Sequence, residues 1–191
     1  MGGNRGERSI NRFRGFALML ALVLLGVGCR NPHTPPVLTV PPIDMSRLTE
    51  HRAFGYRVKI GRSPDMVYLV RSDDVEVRAV MSGIVTSVER LSESAGDSIT
   101  LQEFRRSQWQ VSLAHVFNPT VAKGDQVVAG QILGTVGENS AGELGTTLSV
   151  LNRQGDNGTY HCPMVFGSDS FVELHRDFPG EWCAVEAVNG D

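Results

Sequence analysis

The chain has 191 residues, 41% of them hydrophobic, and a formal net charge of −3. That is enough apolar material for one packed domain. No basic patch interleaved with aromatics appears, which argues against nucleic acid as a partner. Residues 1–28 read as a secretion signal. Arg5, Arg8, Arg12 and Arg14 form a positive head, and the uncharged run Gly15 to Gly28 follows. The run is shorter than the roughly 20 residues a membrane-spanning helix needs, and it suits a cleaved leader. Removing it leaves roughly 160 residues, the size of one domain with a short extension.

The apolar run stops at Cys29, preceded by Val27 and Gly28. This arrangement resembles the lipobox of bacterial lipoproteins, with Gly26 where that pattern carries Leu and Leu25 one place earlier. The resemblance implies lipidation of Cys29, a membrane anchor and a cell-envelope location on the periplasmic side. Arg30 after the cysteine implies the outer membrane. The competing reading is an ordinary cleaved signal with a cysteine nearby.

Residues 29–53 read as a tether. Asn31 to Pro42 holds five prolines in twelve residues, which blocks helix and removes amide donors, so an extended spacer is expected. Met45 to His51 is a candidate short helix. The domain proper is placed at 54–155. Tyr56 to Ile60 alternates and reads as a strand, and Met66 to Val70 is a continuous apolar run that reads as a buried one. Val75 to Val80 alternates with Glu76 and Arg78 outward. Strands are further expected after the bend at Gly83, over SITLQEF, over SQWQVSLAHVF, on either side of Gly130, and over TTLSVLN. Many short strands at this spacing predict an all-β fold, an antiparallel sandwich or barrel-like domain.

Residues 156–191 read as a C-terminal wrap. Cys162 and Cys183 are the two cysteines left once Cys29 carries lipid. In an oxidising compartment an even pair reads as a disulfide. Two free thiols, or a metal site using Cys162 with His161, are the alternatives. His161 and His175 read as surface or capping residues, and His33 and His51 carry no argument.

The segment Val77, Ala79, Gly83, Val85, then Gly96, Ile99, Leu101, then SLAHV, then Val121, Gly124, Asp125, Val127, Gly130, Gln131, Ile132, Gly134 resembles the core of the LytM/lysostaphin-type zinc peptidases of the bacterial cell wall. That resemblance places His115 at the family's catalytic histidine. It also implies three zinc ligands, and their positions fall on or near Tyr68 and at Thr147 and Ser149, the last two on either side of Leu148. Neither a phenol nor an aliphatic hydroxyl is a usual zinc donor. Asp65, Asp73 and Asp74 lie close to the expected aspartate and read as turn residues bonding their own backbone. The expectation is a degenerate member with no zinc or other cofactor and a vestigial His115. Such a module binds peptidoglycan or regulates a cell-wall hydrolase.

Two alternatives stay open. One is an active zinc endopeptidase, which would require the metal. The other is a biotinyl/lipoyl-like barrel of an envelope adaptor, because AVMSGIV and KGDQVVAGQILG also match its two halves. The chain has no long amphipathic hairpin and no cofactor lysine between those halves.

Overall fold

A computed structural model describes residues 31–59, 61–139, 141–154 and 158–190. Residues 1–28, expected to be a leader, and the lipidation candidate Cys29 lie outside the described residues. The described strands are β1 (Glu50–Arg52), β2 (Met66–Leu69), β3 (Glu76–Arg78), β4 (Gly83–Ser92), β5 (Gly96–Gln102) and β6 (Trp109–Phe117). They continue with β7 (Gln126–Val127), β8 (Ile132–Glu138), β9 (Leu144–Asn152), β10 (Thr159–His161) and β11 (Ala187–Asn189), and one helix, α1, spans Asp169–Arg176. Every ladder between these strands is antiparallel.

β9 organises the sheet. Its first half pairs with β2 and its second with β10, while β6 lies along its other edge. β6 in turn carries β5, which carries β4, which carries β7. Alternation explains the packing. Along β6 the side chains of Trp109, Val111 and Leu113 are buried while Gln110, Ser112 and Ala114 are half-buried. Inward residues of β5, β6 and β9 meet Val77 of β3 and Leu133 and Val136 of β8 in one core. Alternating apolar strands that bury one face form a sheet of this kind.

Three expectations change. Tyr56 to Ile60 is not a strand: its described part makes only an isolated bridge, Arg57 to Arg62. A Gly-Arg-Ser-Pro turn follows too closely for a ladder to extend. The helix expected over Met45 to His51 is a single 3-10 turn, Met45–Arg47, because Glu50–Arg52 is taken up as β1 against β2. The tether is not a free spacer. Leu38 and Ile43 are buried in the core, and the amides of Leu38 and Thr39 donate to Phe166 and Val80 carbonyls at 2.8 and 2.9 Å. Prolines forbid a helix, but they do not forbid an extended segment from packing. The boundary at Phe54 therefore moves upstream.

The C-terminal wrap shares the same core through Cys162, Phe171 and Trp182. Cys162 and Cys183 form a disulfide with Cα atoms 5.9 Å apart. Ser168 caps α1, its hydroxyl accepting from the Phe171 amide, a standard N-terminal device that stabilises a short helix.

Candidate ligand-binding face

On β9 the even residues Thr146, Leu148 and Val150 point into the core and the odd residues Thr147 and Ser149 point to the other face. Directly opposed residues in an antiparallel ladder share a face. Thr147 lies opposite Val67 on one side and Ala114 on the other. Ser149 lies opposite Ser112, which lies opposite Thr100, which lies opposite Ser87. The result is a row of hydroxyls across four strands, with Thr100 Oγ1 and Ser112 Oγ 3.1 Å apart.

Asp65 ends this row. Its carboxyl is hydrogen-bonded to the Ser149 side chain, and burial pushes it up to about 6, with that bond pulling the other way. Desolvation disfavours the charged form, so the carboxyl takes up a proton more readily than an exposed one. Asp65 was read from sequence as a turn residue. The signal that places it here is parity: residues sharing a face with Thr147 and Ser149 on β2 must be odd-numbered.

Tyr68 fails that parity. It lies opposite Thr146, fully buried on the core face, and its hydroxyl is 2.8 Å from Nε2 of His175. The structure therefore brings Thr147 and Ser149 together and places Tyr68 on the reverse side. His175 is likewise not a surface or capping residue: it is fully buried. His51, opposite Tyr68 in the β1–β2 ladder, stacks on Trp182 at 3.9 Å.

His115 sits where β6 leaves β9 and takes up β8. Ala114 is the last residue paired with β9, and Val116 the first paired with β8. The switch is made with φ +62° at His115, a left-handed conformation uncommon for a residue with a side chain. The imidazole borders a cavity of about 460 Å³ lined by Leu91, Ser92, Ser94, Ala95, Glu138 and Asn139. Burial lowers its pKa, partly offset by the Ala95 and Glu138 backbone. Asp73 lines a neighbouring cavity with Phe117, and Asp74 pairs with Arg47 at 2.8 Å.

Residues 66–159 match the family model described as Peptidase family M23. That span, just under half of the chain, is an M23 peptidase-like domain. The matched span runs from β2 to the start of β10, so the segment before β2, α1 and β11 are additions to it. Among solved structures, the solution structure of lysostaphin aligns with TM-score 0.51 and 18% identity, covering 74% of this chain and 57% of that one. Csd3 of Helicobacter pylori aligns with TM-score 0.50 and 18% identity, over 75% of this chain and 39% of that one. The catalytic domain of the antimicrobial peptidase lysostaphin from Staphylococcus simulans gives 0.48 and 19%, over 59% and 86%. At these identities the likeness is one of fold. No curated protein matches the sequence.

Zinc in this family would ask for nitrogen, thiolate or carboxylate donors converging on one point. The M23 face offers one such donor, Asp65, beside the hydroxyls of Thr147 and Ser149. Among the described residues no three His, Cys, Asp or Glu side chains gather as a metal site. The donor set on this face does not fit a zinc ion.

Proposed function

We propose that this chain is an exported, membrane-anchored envelope protein whose M23 domain holds a peptidoglycan peptide without cutting it. The observation that carries this reading is the row Ser87, Thr100, Ser112, Ser149 with Asp65 at its end. The side chains flanking Leu148, where a metallopeptidase of this kind is expected to present imidazoles, are here the hydroxyls of Thr147 and Ser149, both buried, and the row opens to solvent through the half-buried Ser112, Thr100 and Ser87. Hydroxyls both donate and accept, so a row of them suits the amides and carboxylates of an extended peptide. With no donor set for the metal, the residues left near the cleft are recognition residues: His115, neutral over most of the physiological range, and the Asp65 carboxyl. Holding such a peptide would also let the domain guide a cell-wall hydrolase to its substrate.

The test mixes the purified full chain with isolated peptidoglycan sacculi, with and without added zinc. Expected are co-sedimentation, no release of soluble fragments, and far less than one zinc per chain. Ser149→Tyr, which fills the row, is expected to weaken binding tenfold or more. Stoichiometric zinc with fragment release would return the chain to the active endopeptidase reading. Undiminished binding by Ser149→Tyr would move the ligand off this face.

A further inference from the structure

The first described residues do not lead away from the domain; they are fastened to one end of the sheet. The Gln108 amide donates to the Pro32 carbonyl at 3.1 Å. The Trp109 indole N–H donates to the His33 carbonyl at 3.0 Å. Cys29 precedes Asn31 by two residues, a reach of at most about 7 Å. A lipid on Cys29 would therefore bring this end of the molecule to the bilayer with almost no slack.

That end has the chemistry of a membrane-contacting surface. Arg105 and Arg106 are exposed on the turn between β5 and β6, and Arg153 is exposed just after β9. The Arg153 amide donates to the Gln108 carbonyl at 2.9 Å, so all three arginines flank the point where the chain is fastened. Beside them Val37 is 61% exposed and Val165 64% exposed. Their neighbours Leu38 and Phe166 are hydrogen-bonded at 2.8 Å, so the two valines lie on adjoining segments. Phe166 in turn packs against Trp109, ring centres 5.1 Å apart. Among the described residues of these stretches the acidic side chains are Glu103 and Asp169, against three arginines. A basic rim around exposed aliphatic side chains suits an anionic bilayer surface, the arginines meeting lipid phosphates and the valines the acyl boundary.

We propose that the Arg105–Arg106–Arg153 rim, with Val37 and Val165, rests directly on an anionic membrane surface and fixes the orientation of the M23 domain. This rests on the anchored-envelope reading above. β6 starts at Trp109 on this surface and reaches His115 six residues later, roughly 20 Å away at about 3.3 Å per residue. The His115 cavity then lies at the end away from the membrane, and the hydroxyl row, which crosses β6 at Ser112, lies about halfway along, roughly 10 Å from this surface.

The test uses the full chain in vesicles of phosphatidylcholine alone or mixed with phosphatidylglycerol, the lipids carrying a photoactivatable headgroup. Labelled peptides are read by mass spectrometry. Labelling is expected on 31–38, 104–109, 153 and 164–166, stronger in the anionic vesicles. The triple variant Arg105→Glu, Arg106→Glu, Arg153→Glu should cut it tenfold or more while leaving thermal unfolding unchanged. Labelling spread evenly, concentrated on α1 or β11, or indifferent to the triple variant overturns the proposal. The mass of the N-terminal peptide reports separately whether Cys29 carries lipid. If it does not, co-sedimentation of the Cys29→Ser chain with the anionic vesicles, abolished by the triple variant, upholds the surface although the anchor has failed. No co-sedimentation of that chain overturns both.

Discussion

The hydroxyl of Tyr68 donates to Nε2 of His175 at 2.8 Å, and the opposite ring nitrogen, Nδ1, donates to the Phe171 carbonyl at 2.6 Å. A nitrogen facing a carbonyl must carry the proton, so the ring is the neutral Nδ1–H tautomer and Nε2 accepts. Trp182 completes the arrangement by donating its indole N–H to the His175 carbonyl at 2.8 Å. This network joins α1 to β2, and hence the C-terminal addition to the M23 sheet. Tyr68→Phe keeps the ring and removes the donor, leaving Nε2 buried without a partner. The cost is about 1–3 kcal/mol, read as a lower denaturant midpoint with an unchanged slope. A wild-type midpoint in the variant would mean that the bond contributes nothing.

The same histidine sets an acid limb. Burial pushes the imidazole down to about 4, against about 6.5 in the unfolded chain. Between those values the unfolded state binds the proton and the folded state does not. Stability from the neutral ring is therefore full above pH 6.5 and is lost as the pH falls toward 4. The span corresponds to about 3 kcal/mol. His175→Gln, which does not titrate, should be less stable at neutral pH, with the deficit against wild type shrinking between pH 6.5 and 4. A deficit that stays constant over that range would refute the assignment.

Asp65 runs the other way. Its carboxyl is raised to about 6 in the folded protein and titrates near 3.9 unfolded, so here the folded state holds the proton longer. Stability falls as the pH rises from about 4 to 6 and stays lower above. Asp65→Asn removes that penalty. Because the side chain is only half-buried, solvent screening reduces the gain to about 1 kcal/mol at pH 7, vanishing below pH 4. Chemical denaturation of both proteins at pH 4 and pH 7 measures it. Destabilisation at pH 7 would show that the ionised carboxylate is held by more than its bond to Ser149.

Much of this fold can be read from the sequence, because strands announce themselves through alternation and glycine turns. Val77 to Val85 and Val121 to Gly134 fall on β3, β4, β7 and β8 as expected. What could not be read is parity across a ladder. Nothing in the Met66 to Val70 run, apolar at every position, says which face Tyr68 takes, and only the pairing with Thr146 decides it. The buried role of His175 was hidden for a related reason. Its partner Tyr68 is 107 residues away in sequence, and local pattern carries no information at that range. α1 escapes a reading by period because it spans only eight residues, too few to show the helical repeat over the longer window that reading needs. The Ser168-Asp169-Ser170-Phe171 start was the available signal.

The disulfide is the remaining clasp. Cys162 is fully buried at the end of β10. Cys183 forms a parallel bridge with Phe54, and the Phe54 amide and carbonyl bond Trp182 and Ala184 at 2.9 Å. The cross-link, between residues 21 apart, thus ties the end of β10 to the stretch that hydrogen-bonds Phe54 of the segment before β2. Restricting a loop of that size in the unfolded chain contributes roughly 3 kcal/mol in the chain-entropy model. Cys162→Ser with Cys183→Ser should lower the melting temperature by about 6–12 °C, taking 2–4 °C per kcal/mol for a chain of this size. Hydrogen exchange should quicken first over 178–190, since that stretch loses its covalent link while α1 keeps the bond between its His175 and Tyr68 of β2. Reductant added to wild type should reproduce both effects. Exchange that quickens uniformly across the sheet would instead make the bond a support of the whole domain rather than of its C-terminal addition.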